Sequence, residues 1–243
     1  MAHPQLYPLR VNPKTREPYL QLPSPHENII ITPPRLSDVP EIVKNLNDFS
    51  VYKWLSGPPY PYLDSHADEW LASLRSDCDM LLEELELAAK KDPEASPIIV
   101  GGCPVRTLRE VRADGTEVFL GDIGVDRCGY PDLEASFEKE RLIEKNSQRL
   151  AGDPEIAWCI GYYLAASHHG RGIMTAALRT LISEWMIPRM GAHLIRAEAF
   201  KGNAGSRKVF EKNGFTLEKI VDFTRTTQNG QTQQGMYVLL WRS

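Results

Sequence analysis

The sequence predicts an α+β fold, and three patterns carry that expectation. Leu71, Leu74, Cys78, Leu81, Leu82 and Leu85 recur at spacings of three and four, the period of a helix with one buried face. The middle of the chain switches to short runs of β-branched and aromatic residues, PIIVGGCPVRTLREV and TEVFLGDIGVDRC, on either side of an Asp114-Gly115 pair that favours a hairpin turn. Beyond residue 155, two strand-like runs each feed a helical one.

Taken in order, residues 1–28 read as an N-terminal extension and residues 29–243 as one domain. A first strand near Ile29 to Thr32 stops at Pro33 and Pro34, because proline cannot donate to a ladder. Ser37 is placed to cap the helix DVPEIVKNLN, with Pro40 in its first turn, where a missing N–H costs little. Three prolines between Pro58 and Pro61 make GPPYPY a rigid loop, and the next helix begins near Asp64 or Ser65. After the hairpin, residues 132–154 are charged and lack strand character; they read as an insertion carrying a short amphipathic helix. EIAWCIGYYL and HLIRAEAF are the next strands. A helix from Ile173 carries Leu178, Leu181, Ile182, Trp185 and Met186 on one face and ends at Pro188. A second, NAGSRKVFEKNG, is capped by Asn203 and closed by Gly214. FTLEKIVDFTR and QGMYVLLW close the chain as a hairpin.

Composition narrows the partners. A chain of 243 residues with 42% apolar content can bury a full core. A net charge of -4 gives no reason to expect nucleic acid or an anionic membrane. The N-terminus has prolines and charges where a signal peptide has an apolar core, and no later run approaches the roughly eighteen apolar residues of a membrane span. A soluble, cytoplasmic protein is expected, as a monomer or homodimer. Cys78, Cys103, Cys128 and Cys159 are widely separated, with no C-x-x-C pair, and read as free thiols that pack as small hydrophobes. Adjacent His168 and His169 point apart and lack nearby ligands in sequence, so no metal is expected.

The stretch ASHHGRGIMTAALRT joins a strand to a helix. Gly170 and Gly172 tolerate left-handed angles, so successive amides there can point inward, and the unpaired amides and dipole of the following helix pull the same way on an anion. A phosphate-binding turn is the physical expectation. It is neither a Rossmann turn, since Thr175 stands where the third glycine belongs, nor a Walker loop.

GYYLAASHHGRGIMTAAL resembles motif A of the GNAT acetyltransferase superfamily, Q/R-x-x-G-x-G/A, and NAGSRKVFEKNGF resembles the segment that follows it there. ITPPRLSDVPEIVKNLND, VYKWLSGPPYPY and ADEW further resemble the branch that includes the ribosomal-protein alanine N-acetyltransferases, and the likeness spans about residues 29 to 242. It implies a mixed, splayed central sheet flanked by helices, with acetyl-CoA wedged into the gap. Transferred by position, the backbone of His168, His169, Gly170, Arg171, Gly172, Ile173, Met174 and Thr175 holds the CoA pyrophosphate. Tyr162, Tyr163, Leu164 and Ala165 pair with the pantetheine amides, and Asn203 contacts the same arm. The departure is Ser167, where the motif has glutamine or arginine.

The implied chemistry is direct attack of an amine on the thioester, which needs alignment, a base, an oxyanion site and a proton for the departing sulfur. Many family members supply that proton from a tyrosine at the place of Phe210, which has none to give. Ser206, one turn earlier, is the candidate acid, as a serine can be in the resembling branch; the other reading is that it caps local backbone. Glu198 alternates with Ile195, Ala197 and Ala199, so it faces away from them and is the candidate base, its pKa raised by apolar surroundings. Glu155 is a second candidate. Cys159 needs no covalent role and reads as a core thiol. Trp54, Tyr60 and Tyr62 are candidates for one wall of an acceptor pocket, with the insertion on the other side. The acceptor is a small amine, an amino acid or a protein N-terminus. A catalytically weak acetyl-CoA-binding or regulatory module is the alternative.

Overall fold

The computed structural model describes residues 4–243; the first three residues of the extension lie outside the described residues. The extension is built into the sheet. After a single 3₁₀ turn, β1 (Arg10–Val11) and β2 (Pro18–Gln21) add antiparallel to β3 (Ile29–Thr32), and Leu9, Leu20 and Leu22 are buried. α1 (Val39–Leu46) and α2 (Phe49–Tyr52) lead through the proline loop to α3 (Asp64–Lys91), whose expected stripe is buried at Leu71, Leu74, Cys78 and Leu85. β4 (Thr107–Val111) and β5 (Glu117–Arg127) form the expected hairpin, with Gly115 left-handed in its turn (φ +82°). α4 (Phe137–Ser147) is the helix of the 132–154 segment.

β6 (Ala157–Leu164) leads into α5 (Ile173–Thr180), a π-helical turn over Leu181–Met186 and α6 (Ile187–Met190). β7 (Leu194–Phe200) leads into α7 (Ala204–Glu211), then β8 (Thr216–Val221), a small ribbon of β9 (Arg225–Thr226) and β10 (Thr232–Gln233), and β11 (Met236–Arg242). Among the described residues the main sheet has nine strands in the order β1-β2-β3-β4-β5-β6-β7-β11-β8, and all neighbours are antiparallel except β6 and β7. One face of the sheet packs on α5, the π turn and Phe210; the other packs on α1, α2 and the start of α3, around Ile42, Leu46, Leu71, Phe119 and Tyr163. Both faces being covered is why β3 is buried at every position rather than alternating. Among the described residues no helix is long and apolar enough to cross a membrane.

Three local expectations are corrected. Ser37 does not cap α1. Asp38 organises that entry: its carboxylate accepts from the Arg35 amide at 2.8 Å and pairs bidentately with buried Arg109 at 2.7 and 2.8 Å, tying α1 to β4. Pro188 does not end its helix. It falls early in α6, directly after the π turn, where Ile187 N–H already bonds Ile182 five residues back, so the lost i−4 bond is absorbed and left-handed Gly191 (φ +61°) ends the run. Residues 97–102 form a loop rather than a strand, held where Val100 N–H donates to Arg189 O at 2.8 Å.

Candidate active site

β6 and β7 start side by side and then part. Their parallel ladder runs Ala157↔Leu194, Trp158↔Ile195 and Cys159↔Arg196 and goes no further, although β6 continues to Leu164 and β7 to Phe200. Each strand keeps its other neighbour, β5 or β11, along its length. The facing edges beyond Cys159 and Arg196 are therefore left without strand partners, and a cleft of about 1140 Å³ opens between them. That exceeds the roughly 300–1,000 Å³ of an ordinary single-ligand site, so two reactants can be held together.

At one end the cleft is closed by the glycine turn. Gly170 (φ +72°) and Gly172 (φ +81°) are both left-handed, and Gly172 is the N-cap of α5. The cradle is shorter than the sequence suggests: His168 N–H donates to Ala165 O at 2.9 Å and His169 N–H to Ala166 O at 3.2 Å, so neither amide is available. From Gly170 onward the amides of Arg171, Gly172, Ile173, Met174 and Thr175 remain, the last three belonging to the first turn of α5, which has no intrahelical acceptors for them. The imidazoles do other work. His169 Nε2 donates to Leu164 O at 2.8 Å, and His168 Nδ1 lies 2.9 Å from Ser167 Oγ. Burial, then the neighbouring Arg171, lower the His168 pKa, against the pull of Glu110 3.8 Å away. Arg171 is exposed at the mouth of the turn.

The sheet edge offers fewer groups than four consecutive residues. Ala165 is withdrawn, since its N–H donates to Leu120 O at 2.6 Å and its carbonyl accepts from His168. By strand alternation Tyr163 also directs its backbone to β5, opposite Asp122, leaving Tyr162 and Leu164 to face the gap. The Tyr163 ring goes to the other face, against Phe119 and Trp70.

The two catalytic candidates line the same cleft. Glu198 lines it from β7, with Oε1 buried and free of hydrogen bonds and Oε2 3.9 Å from Cys159 Sγ. Burial pushes its pKa up to about 7, against the pull of Arg196 and with Asp132 adding to the rise. Arg196 does not neutralise it, because that guanidinium engages Asp132 at 3.1 Å and Glu218 at 3.3 Å and comes only within 3.9 Å of Glu198. Ser206 lines the cleft from α7. Its amide is capped by Asn203 Oδ1 at 3.1 Å, and its hydroxyl lies 2.9 Å from the Tyr162 hydroxyl. Sequence reasoning missed that pairing. Burial raises the Tyr162 pKa well above its ordinary value, so the phenol keeps its proton, and its ring packs on Phe210 at 5.3 Å.

Other expectations divide. Trp54 lines the cleft, with Ser50, Val51 and Leu55; Tyr60 is exposed and stacks on Tyr52 at 4.6 Å. Tyr62 is no pocket wall: it is 5% exposed and packs in the core beside Ile42 and Leu71, because its backbone is clamped by Asn47 and turns the ring inward. Glu155 is exposed, precedes β6 and pairs with Arg149, away from the cleft. Pro131 and Lys139, around the start of the 132–154 segment, do reach the cleft's far side. Cys159 is half-buried and lines the cleft instead of the core; its thiol is pushed up by the Cys128 sulfur and by burial, which makes it a poor nucleophile.

Comparison with known proteins gives a consistent picture. The model of the acetyltransferase (GNAT) domain family matches residues 28–216. The probable N-acetyltransferase YjcK of Bacillus subtilis (strain 168) is 43% identical over 83 residues, 33% of this chain and 45% of that relative, so the match spans less than half of the relative's length. Among solved structures, the ribosomal-protein-S5-alanine acetyltransferase from Vibrio fischeri is similar with a TM-score of 0.56 at 14% identity, over 92% of this chain and 96% of that one. RimJ of Mycobacterium smegmatis, solved in complex with CoA-disulfide, is similar with a TM-score of 0.51 at 20% identity, over 93% and 87%. At these identities the structures share the fold.

Proposed function

We propose, from the premise that the chain belongs to the acetyltransferase (GNAT) family, that it transfers an acetyl group from acetyl-CoA to an amine, the two bound together in the cleft between β6 and β7. The observation that carries this reading is the ladder that stops at Cys159↔Arg196 and leaves two unpaired strand edges leading to the Gly170–Gly172 turn. The residues present fit the cofactor. Backbone from Gly170 to Thr175 would hold the diphosphate, and the gap-facing backbone of Tyr162, with the Leu164 N–H, would pair with the pantetheine arm, the Leu164 carbonyl being taken by His169. Asn203 has its amide N–H₂ left for that arm while its oxygen caps α7.

Bound acetyl-CoA supplies a thioester carbonyl open to attack by an amine. The chain's own groups do the proton work. Glu198, poised near neutrality by burial, accepts a proton from the attacking amine directly or through one water. The Tyr162 and Ser206 hydroxyls, 2.9 Å apart, hold a proton at the opposite wall, where the sulfur departs. The acceptor enters between α2 with its following loop and the Pro131–Lys139 side. Phe49, Tyr52 and Tyr60 form a contiguous aromatic surface beside the cleft-lining Ser50 and Val51, which suits the first residues of an extended peptide. We therefore favour a peptide or protein N-terminus over an enclosed small amine.

Two measurements test this. CoA at 100 times its Kd should add about 2.7 kcal/mol of stability, a Tm rise of roughly 5–10 °C for a chain of this size. Thiol release from acetyl-CoA should depend on the amine supplied. Tight CoA binding with no amine-dependent release would favour a binding module instead. Tyr162→Phe and Ser206→Ala should each lower kcat about tenfold with CoA affinity unchanged, and the double variant should fall well short of the product of the two because the hydroxyls act as one unit. A double variant as fast as the parent removes the pair from the mechanism.

A further inference from the structure

In the splay, two sulfurs and a carboxylate converge from three neighbouring strands. Cys128 follows β5, Cys159 lies on β6 and Glu198 on β7, and their donor atoms all lie within 4.8 Å of one another. Nothing in the sequence links them; the convergence exists only because β6 sits between β5 and the parallel β7. Cys128 is buried, while Cys159 and Glu198 are half-buried and line the cleft.

We propose that Cys128, Cys159 and Glu198 form a binding site for a thiophilic divalent cation, zinc above all, and that the occupied site shuts the enzyme off. The donor set is the argument. Two thiolates and a carboxylate are ligands zinc accepts, with sulfur selecting it over magnesium or calcium. Tetrahedral zinc with sulfur bonds of about 2.3 Å places sulfurs about 3.8 Å apart, so closing the site needs movements of roughly 1 Å or less. Glu198 Oε2 is already 3.9 Å from Cys159 Sγ, and Oε1 is buried with no hydrogen bond to give up. Three protein ligands leave a fourth position, which faces the cleft through Cys159 and Glu198 and can take a water or an incoming amine.

Charge balances as well. Binding expels one proton from each thiol and any proton still on Glu198, so two thiolates, one carboxylate and Zn²⁺ sum to one negative charge beside Arg196, whose Nε is buried without a hydrogen-bond partner. The site stands on geometry independent of the acetyl-transfer reading. Its inhibitory consequence rests on that reading, because a metal on Glu198 removes the base.

The test uses the full chain, reduced with a phosphine and stripped with EDTA, titrated with Co²⁺ alone. We expect one equivalent to bind with near-ultraviolet thiolate-to-cobalt absorption and the strong visible bands of tetrahedral cobalt, both bleached by Zn²⁺. Cys128→Ser should weaken Co²⁺ binding at least about tenfold while CoA affinity stays at the parent value. Cys159→Ser should do the same to Co²⁺ and serves if the buried Cys128 substitution unfolds the chain. Cobalt binding without the thiolate band, or at parental affinity in either variant, overturns the site. In the second arm, initial rates are read on the acetylated amine, since released CoA thiol itself chelates zinc. Zn²⁺ should inhibit reversibly with EDTA, and Cys128→Ser should need at least tenfold more. A parent at full rate with the cobalt-defined site filled by Zn²⁺ overturns the inhibitory role and leaves the acetyl-transfer reading intact.

Discussion

Gly172→Val is expected to weaken CoA binding at least about 100-fold, about 2.7 kcal/mol, in a protein that still folds. Gly172 has φ +81°, and a β-branched residue there costs of order 1–3 kcal/mol in backbone strain. A domain with a typical stability of about 5–15 kcal/mol survives that. The space around the position would not itself reject a side chain, for an added Cβ would come no closer than 3.5 Å to His26 Nε2. The damage falls on the amides. Valine relieves its strain by rotating the turn, which takes the Gly172 and Ile173 N–H groups out of line with those of α5, and its methyls stand at the mouth where a diphosphate must approach. Isothermal titration with CoA beside a thermal melt separates the two effects: binding lost with Tm lowered by several degrees is the expected pair. Undiminished CoA affinity would remove the turn from the site, and with it the reason for placing the cofactor in this cleft.

The turn was legible in the sequence because everything it needs is local. Two glycines, a preceding strand and a following helix lie within about twenty consecutive residues, and each announces its own conformation. The same holds for the Asp114-Gly115 hairpin and the buried stripe of α3. What the sequence did not disclose depends on strands that meet from far apart. β1 and β2 are too short to show a period and exist because β3 offers them an edge. Tyr162 and Ser206 are 44 residues apart in sequence and share a hydrogen bond only through the packing of α7 beside β6. The Cys128, Cys159 and Glu198 cluster follows from strand order alone. Conversely, the reading of Tyr62 as a pocket wall went astray because a proline-flanked aromatic looks the same in sequence whether it turns to the cleft or, as here, into the core. His168 and His169 look like cradle residues until the 3₁₀ turn at Ala166–His168 is seen to use their amides, and Ala165 looks like a pantetheine partner until its amide is seen to bond Leu120.

Glu198→Gln should carry the largest loss of rate, about 100-fold in kcat/KM at its maximum, and the pH at which it does so is fixed by two titrations. The carboxylate accepts a proton only when ionised, and burial holds it at about 7. In the chelated parent, kcat/KM should therefore fall with unit slope below pH 7 as Glu198 takes up its proton, whereas the variant, which can use only amine that is already free, should begin to fall at the pKa of the amine. An N-terminal amine titrates near 8. Above that it arrives already free and needs a base less, so the deficit of the variant should be greatest at about pH 7 and below and shrink as pH rises through 8. A constant ratio across pH dismisses Glu198 as the base.

The same carboxyl makes a second prediction that needs no substrate. Its folded pKa lies above the ordinary value of about 4.3, so the folded state binds the extra proton and the stability it confers is full below about pH 4.3 and lost as pH rises through about 7. At 1.36 kcal/mol per unit the full loss is about 4 kcal/mol, of which about 3 kcal/mol falls between pH 4.5 and 8, and a side chain only 13% exposed leaves little solvent to screen it. Glutamine has no charge to bury. Urea unfolding of the chelated proteins from pH 4.5 to 8 should show the parent losing about 3 kcal/mol more than Glu198→Gln over that span. Parallel curves would mean that the carboxylate is already solvated in the splay, and a solvated carboxylate, ionised well below neutrality, would be too weak a base for the role.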